Sequence, residues 1–261
     1  SMSQNQTPIP VWDPLLRLFH WALVACVVGA FVSVKLGGNA MVWHGRFGVA
    51  ICGLIAFRLL WGVIGPETAR FSQFVKGPAA IRAYLQGAWY GIGHNPLGAL
   101  SVVAMLAVFG IQAVLGLFSY DEIAFRGPLA RLVSEATQLA LTSWHRQLEP
   151  VLIALVALHL TAILFYRVVK REDLVRPMIT GYRLATPHEV KAARLEATAA
   201  SQDASAASHD ATTLPFAVVW HTKAYWVRAS FAIAVGIAAA LVASGVWIPA
   251  PEVAPVAAPE W

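Results

Sequence analysis

Two histidines, His145 and His159, lie in one apolar stretch, residues 143–171, that is long enough to cross a lipid bilayer. Fourteen helical residues rise about 21 Å and turn through about 1400°, which leaves the two side chains within roughly 40° of each other around the helix. The two imidazoles therefore point the same way at two depths. An imidazole inside a membrane needs a hydrogen-bond partner or a metal, and such residues usually face the bundle interior. The alternative is that both are interfacial or packing histidines.

The composition indicates an integral membrane protein. Of the 261 residues, 58% are hydrophobic and 13% are charged, and the mean hydropathy is +0.61, which lies outside the range of soluble domains. The net charge of +5 does not indicate nucleic-acid binding, because Lys and Arg flank apolar stretches and form no continuous basic face. Cys26 and Cys52 belong to no Cys-x-x-Cys or Cys-x-x-Cys-His pattern, so neither a disulfide framework, a zinc site nor a covalently attached haem is indicated.

The chain contains further apolar stretches of membrane-spanning length. Besides residues 143–171, these are residues 15–36, 41–64, 96–120 and 229–248. Glycine pairs and Gly-Pro turns separate the early spans, so consecutive helices are expected to be antiparallel neighbours. The mixed polar and aromatic connection at residues 67–95 is expected to hold a helix on the membrane surface. Pro150 is expected to kink the fourth span without breaking it.

The distribution of Lys and Arg predicts the orientation. Fourteen of the 19 lie with the N-terminus, the connection at residues 67–95, the long linker and the adjoining helix ends. The five on the other side are Lys35, Arg46, Arg126, Arg131 and Arg146. Positive residues are enriched in cytoplasmic loops, so we expect a cytoplasmic N-terminus and linker and a periplasmic C-terminal tail.

With this orientation, four histidines fall on two levels. His20 and His44 differ by roughly 20 Å in depth, as His145 and His159 do. Because alternate spans run in opposite directions, His20 and His159 share the cytoplasmic level, and His44 and His145 share the outer level. Each pair comes from two different helices.

Two opposed imidazoles suit the axial positions of a haem iron, whereas zinc prefers three or four clustered ligands, often with Cys or carboxylate. The sequence therefore predicts two stacked haem b groups. Glycines could set the backbone back from a flat macrocycle, although small residues also mediate ordinary helix packing. The glycines concerned are Gly29, Gly48, Gly53 and Gly116.

Four other basic residues have assigned roles. Arg17 and Arg58 are expected near the cytoplasmic haem, where a guanidinium can bind propionates, and the alternative for both is snorkelling to the headgroups. His94 is expected to cap the third span. His221 is a candidate for a quinone pocket, although an interfacial position is favoured.

Several segments together resemble the bacterial cytochrome b561 family, within the superfamily that includes the b-type cytochrome subunit of nickel-iron hydrogenase. They are WDPLLRLFHWAL, FRLLWGVIGPETARFSQFVKGP, GHNPLGAL and HRQLEPVLIALVALHLTAILFYRVVKREDLVRPMITG, within residues 11–183. The resemblance implies a four-helix di-haem protein of the bacterial inner membrane that exchanges electrons with quinones. It implies haem ligands at His20, His44, His145 and His159.

The expected fold is an all-α membrane protein with a four-helix transmembrane di-haem bundle and a fifth C-terminal transmembrane helix. The expected division is residues 1–183 for the di-haem domain, 184–222 for a cytoplasmic linker and 223–261 for the fifth helix and periplasmic tail. The fifth span has no histidine and many small residues, so we expect it to pack on the bundle or on a second subunit. Glu252 and Glu260 of the tail are expected to help hold an outer redox partner, and a passive membrane anchor is the alternative.

The leading functional hypothesis is an electron conduit across the membrane between the quinone pool and a redox partner, such as a periplasmic cytochrome c or another redox subunit. A second hypothesis is a quinone-linked superoxide oxidase at the outer face. It would require an open positive funnel, for which the candidates are Lys35, Arg46, Arg126 and Arg146. A third is a haem-free anchor for a partner complex.

Overall fold

The structure, a computed structural model, describes residues 7–87, 94–123, 125–187, 190 and 219–249. Within these residues, five helices are long and apolar enough to cross a membrane, which confirms the all-α membrane fold. Most of the linker lies outside the described residues, as do Glu252 and Glu260 of the tail.

Helices α1 (Pro14–Leu36) and α2 (Met41–Ile64) form a closely packed pair. The carboxylate of Asp13 caps α1 by accepting hydrogen bonds from two backbone amides of its first turn. Gly37 ends α1 with φ of 65°, a left-handed conformation that glycine adopts without strain. A 3-10 turn at Gly38–Ala40 then leads directly into α2. Both helices match the predicted spans to within one residue.

Short helices connect α2 to the third span. They are α3 (Phe71–Phe74) and α4 (Pro78–Leu85), and the latter is the surface helix expected in this connection. The third span is α5 (Pro96–Leu117). Asn95 caps it by accepting a hydrogen bond from the amide of the third residue at 2.7 Å, so the expectation that His94 is the cap is wrong.

Helix α6 (Glu135–Phe165) starts eight residues before the predicted fourth span. The hydroxyl of Ser134 caps the helix. The first residue of α6 is therefore set by a polar capping side chain and not by the start of the apolar stretch. The helix continues through Pro150 without a break and passes into one π-helical turn at Tyr166–Lys170. Arg171 ends it with φ of 56°.

A small antiparallel sheet, absent from the sequence-based expectation, joins the start of the chain to the segment after α6. Strand β1 (Thr7–Pro10) pairs with β2 (Tyr182–Ala185), which follows α7 (Val175–Thr180). Strands of four residues are too short to show a convincing period of two, and β1 contains two prolines. The expected domain boundary after residue 183 falls inside β2.

The fifth span is α8 (Lys223–Ala243), and it packs along α2. It begins six residues before the predicted start because the hydroxyl of Thr222 caps it. The two backbones approach so closely that a Cβ on Gly53 would lie 2.8 Å from the carbonyl oxygen of Gly236. The helix therefore lies on the bundle itself. Single 3-10 turns elsewhere span Glu67–Ala69, Ala130–Leu132 and Val219–His221.

The packing of the four N-terminal spans is an open series. α1 packs on α2, α2 on α5 and α5 on α6, whereas α1 and α6 make little contact among the described residues. His20 lies on α1 and His159 lies on α6.

We expect Gly53→Ala to lower the free energy of unfolding by about 1–3 kcal/mol, because the new methyl group would force α2 and α8 apart. The matched control is Gly110→Ala in α5, where a Cβ would lie an ordinary 3.5 Å from Ile55. Thermal unfolding in detergent, followed by circular dichroism, measures both. Equal stability of the two variants would contradict close packing of α8 on α2.

Candidate functional site

The histidines predicted at the outer level, His44 on α2 and His145 on α6, lie close together with nearly perpendicular ring planes. Their ring centroids are 6.1 Å apart and their planes are inclined at 87°. The Nδ1 atom of His44 lies 2.9 Å from the carbonyl oxygen of Ala30, and Nδ1 of His145 lies 2.9 Å from that of Gln112. A carbonyl only accepts hydrogen bonds, so each Nδ1 is the protonated nitrogen and each Nε2 keeps a free lone pair.

This spacing fits a metal ion held between the two rings. A nitrogen about 2 Å from the metal on each side, with roughly 1 Å more to each ring centre, gives a centroid separation of about 6 Å. Gly116 provides the space for one ring, because a Cβ there would lie 3.1 Å from Cε1 of His145. Among the described residues no cluster of three or more His, Cys, Asp or Glu suits a metal ion, so this pair offers two protein ligands.

Gln112 holds His145 from two sides. Its carbonyl accepts the bond from the imidazole, and its side-chain amide donates to the carbonyl oxygen of His145 at 2.9 Å. These bonds fix the orientation of the His145 ring, five residues before Pro150 in the same helix. Spacing and hydropathy alone predict no role for Gln112 in orienting a histidine. The available signal was a lone amide in a span without charged residues.

The histidines predicted at the cytoplasmic level, His20 and His159, each lie near one end of a helix. His20 lies six residues inside the start of α1, and His159 lies six residues before the end of α6. Both are half-buried, and Nδ1 of His20 is buried without a hydrogen-bond partner within the described chain. The helices that carry them, α1 and α6, make little contact with each other among the described residues.

His94 belongs to this level, although the sequence did not indicate it. Its ring packs between Trp12 and Phe74, with centroid distances of 4.5 and 4.6 Å. The pKa of His94 is lowered to about 3, chiefly by burial and secondarily by the charge of Arg58. The imidazole is therefore neutral at physiological pH.

Arg58 is buried and does not snorkel to the headgroups. Only 2% of its surface is exposed, and the guanidinium lies 4.6 Å from the ring centroid of Phe71. Both terminal nitrogens are buried without a hydrogen-bond acceptor in the described part of the protein. Arg58 lies six residues before the end of α2, which is the depth of His20. A buried guanidinium without an acceptor is costly, so its surroundings fit an anionic group.

Arg17 lies one turn closer to the start of α1 than His20 and is hydrogen-bonded to the segment after α6. It donates from Nη1 to the carbonyl of Ile179, while its buried Nε lacks an acceptor among the described residues. Trp21 on the same helix donates to the carbonyl of Met178 at 3.1 Å. Helix α7 is therefore hydrogen-bonded to the first two turns of α1.

The family model described as prokaryotic cytochrome b561 matches residues 11–181. The chain belongs to this family. It is therefore a b-type cytochrome that takes part in electron transfer, and haem b is the cofactor that the family implies.

This cytochrome is also similar to three curated proteins, each named a probable Ni/Fe-hydrogenase B-type cytochrome subunit. Those of Azotobacter chroococcum mcd 1 and Azotobacter vinelandii are each 26% identical over 219 residues, covering 69% of this chain and 90% of the relative. That of Cupriavidus necator is 24% identical over 216 residues, covering 66% and 86%. No solved structure matches the chain.

The glycines expected to make room for a macrocycle mostly have other roles in this cytochrome. A Cβ on Gly29 would meet the ring of Phe47 at 2.5 Å, Gly53 faces α8, and Gly116 faces His145. Only at Gly48, among these four, would an added Cβ have no neighbour within 4 Å. Helix packing therefore explains most of the glycine pattern.

The lowered pKa of His94 predicts an acid-sensitive stability. Below the ordinary value of 6.5 the unfolded chain binds a proton at His94 that the folded protein does not bind, so stability falls as the pH falls towards 3. The expected loss is about 2 kcal/mol between pH 7 and pH 5. Unfolding in detergent at both pH values should show this loss in the wild type and a smaller one in His94→Phe.

The control for that measurement is His221→Phe, which changes an exposed histidine in the turn before α8. The control should keep the wild-type pH dependence. If His94→Phe kept it as well, the burial of a neutral His94 would be wrong.

Proposed function

We propose that this cytochrome binds two haem b groups at two depths, one between His20 and His159 and the other between His44 and His145. The observation that carries the proposal is the outer pair, whose rings are 6.1 Å apart and whose Nδ1 atoms are both held by carbonyls. Haem b supplies a one-electron carrier, and two such groups at different depths divide the distance across the bilayer.

The protein's part is to orient the ligands and balance charge. The carbonyls of Ala30 and Gln112 hold the Nδ1 protons, which fixes the tautomer and increases the basicity of Nε2. At the cytoplasmic level, Arg58 and Arg17 would bind the propionates, because their buried nitrogens lack acceptors in the described chain. An arginine fork matches a carboxylate bidentately.

The chain would lie in the bacterial inner membrane with its N-terminus in the cytoplasm. It would carry electrons between the quinone pool and a redox partner. An open apolar groove of about 550 Å³ between α2 and α5 supports a quinone tail site, and Phe71 in its wall also contacts Arg58. The names of the relatives favour a hydrogenase-type subunit as partner. A periplasmic cytochrome c is the second candidate.

Superoxide oxidation at the outer face receives no specific support. Lys35 lies 3.6 Å from Glu149 in an ion pair. The guanidinium groups of Arg46 and Arg126 lie over the rings of Trp43 and Tyr120 at 4.7 and 4.4 Å. Three of the four basic side chains expected to line a positive funnel are thus engaged by neighbours.

The histidine pairing has a direct test. His20→Ala and His159→Ala should each remove the same haem, and His44→Ala and His145→Ala should each remove the other, because each substitution deletes one of the two imidazoles proposed to hold that iron. A pyridine haemochrome assay gives the haem content, and redox titration identifies which component is lost. His221→Ala is the control and should retain two haems. A wild-type content of none or one, or a different pairing, would refute the proposal.

We expect Arg58→Gln to lower the midpoint potential of the cytoplasmic-level haem, because a positive charge nearby favours the reduced form. Arg17→Gln should act in the same direction. The matched control is Arg82→Gln on α4, where the arginine is exposed. Redox titration of the visible spectrum measures the change. Unchanged potentials in both variants would remove the propionate role of the arginines while leaving the histidine pairing standing.

A further inference from the structure

Asp13 has no exposed surface and is held by donors from three helices. The amides of α1 bind its Oδ1 atom, and the indole of Trp61 on α2 donates to Oδ2 at 3.3 Å. The hydroxyl of Tyr225 on α8 donates to Oδ1 at 2.8 Å. The fifth helix is thus bonded to the residue that begins the first.

This cluster lies beside the cytoplasmic level. Trp61 is one turn beyond Arg58 on α2, and Asp13 is two turns before His20 on α1, which corresponds to about 10 Å along the helix axis. The charge of Asp13 also acts on the buried guanidinium of Arg58. A change at Asp13 is therefore felt where the cytoplasmic-level haem is proposed.

We propose that Tyr225 is a positioning residue for the cytoplasmic-level haem, acting through Asp13, so that the fifth helix belongs to the electron-transfer unit. This inference rests on the proposed function. Its test is therefore arranged so that failure of the inference and failure of the haem assignment give different results.

The packing of Tyr225 gives the hydroxyl a fixed direction. Its side chain is 1% exposed, and its ring meets Trp61 edge to face with centroids 5.3 Å apart. A hydrogen bond to a carboxylate disperses its negative charge and holds it in place. Without the hydroxyl, more of the Asp13 charge acts on its surroundings, which favours oxidised over reduced haem.

The expected size of the change in haem potential follows from the distance between Asp13 and the depth of His20. A full unit charge about 10 Å away at an effective dielectric constant of about 20 changes a one-electron equilibrium by roughly tenfold. Loss of one donor to Asp13 changes only part of that interaction. We therefore expect Tyr225→Phe to lower the ratio of reduced to oxidised cytoplasmic-level haem by about threefold at a fixed ambient potential.

The experiment is a redox titration of full-length wild-type and Tyr225→Phe protein in detergent, with the two haems resolved by their potentials. Tyr182→Phe is the matched control, because it removes the same group from an exposed position on β2. The expected result is a lower potential for the cytoplasmic-level haem alone. Unchanged potentials, or equal shifts of both haems, would overturn the inference.

Asp13→Asn separates an electrostatic role from a merely structural one. Asparagine still caps a helix, so α1 is retained, but the negative charge is gone and the same haem should move to a higher potential. When Tyr225→Phe is combined with Asp13→Asn, loss of the hydroxyl should change the haem potential little further. If Tyr225→Phe lost haem altogether, Asp13→Asn would decide: a rise supports the inference, and no change overturns it.

The haem content of the wild-type protein separates failure of the proposed function from failure of the role of Tyr225. If it contained no haem at the cytoplasmic level, the proposed function and this inference would both fail. If it contained both haems and Tyr225→Phe matched Tyr182→Phe, only the role of the fifth helix would be wrong.

Discussion

A carboxylate removed from water at the edge of the bilayer organises this molecule. Asp13 is buried, and a buried charge is tolerated only when hydrogen-bond donors surround it. The donors come from α1, α2 and α8, so satisfying one side chain fixes the relative positions of three helices. In the membrane, where the hydrophobic effect does little to hold helices together, such polar contacts and close backbone packing carry that task.

The same rule governs the histidines. Each outer imidazole is oriented by a backbone carbonyl of a neighbouring helix. No second side chain is needed to fix the direction of its Nε2 atom. At the cytoplasmic level the polar groups of His20 and Arg58 are buried without partners in the described chain. The outer pair, His44 and His145, already has hydrogen-bond acceptors, whereas His20 and Arg58 do not among the described residues. A bound anionic group would therefore interact most strongly with His20 and Arg58.

The sequence predicted the features that depend on periodicity and turn residues. The bounds of α1 and α2 followed from Gly37 and from the Gly-Pro turn, and helix rise with alternating span directions predicts two levels for the four histidines. The starts of α6 and α8 were missed, because Ser134 and Thr222 extend these helices into polar sequence. The roles of His94, Gln112 and Asp13 depend on neighbours distant along the chain, which neither spacing nor hydropathy reveals.

Helix α6 and its π-helical turn form a continuous rod of 36 residues, about 54 Å in length, whereas the hydrocarbon core of a bilayer is about 30 Å thick. Such a rod can tilt or slide to match a thinner or thicker bilayer. His145 and His159 are both fixed to it, so their separation is set by helix rise alone. A change in lipid composition would therefore move the protein relative to the headgroups without altering the distance between the two levels.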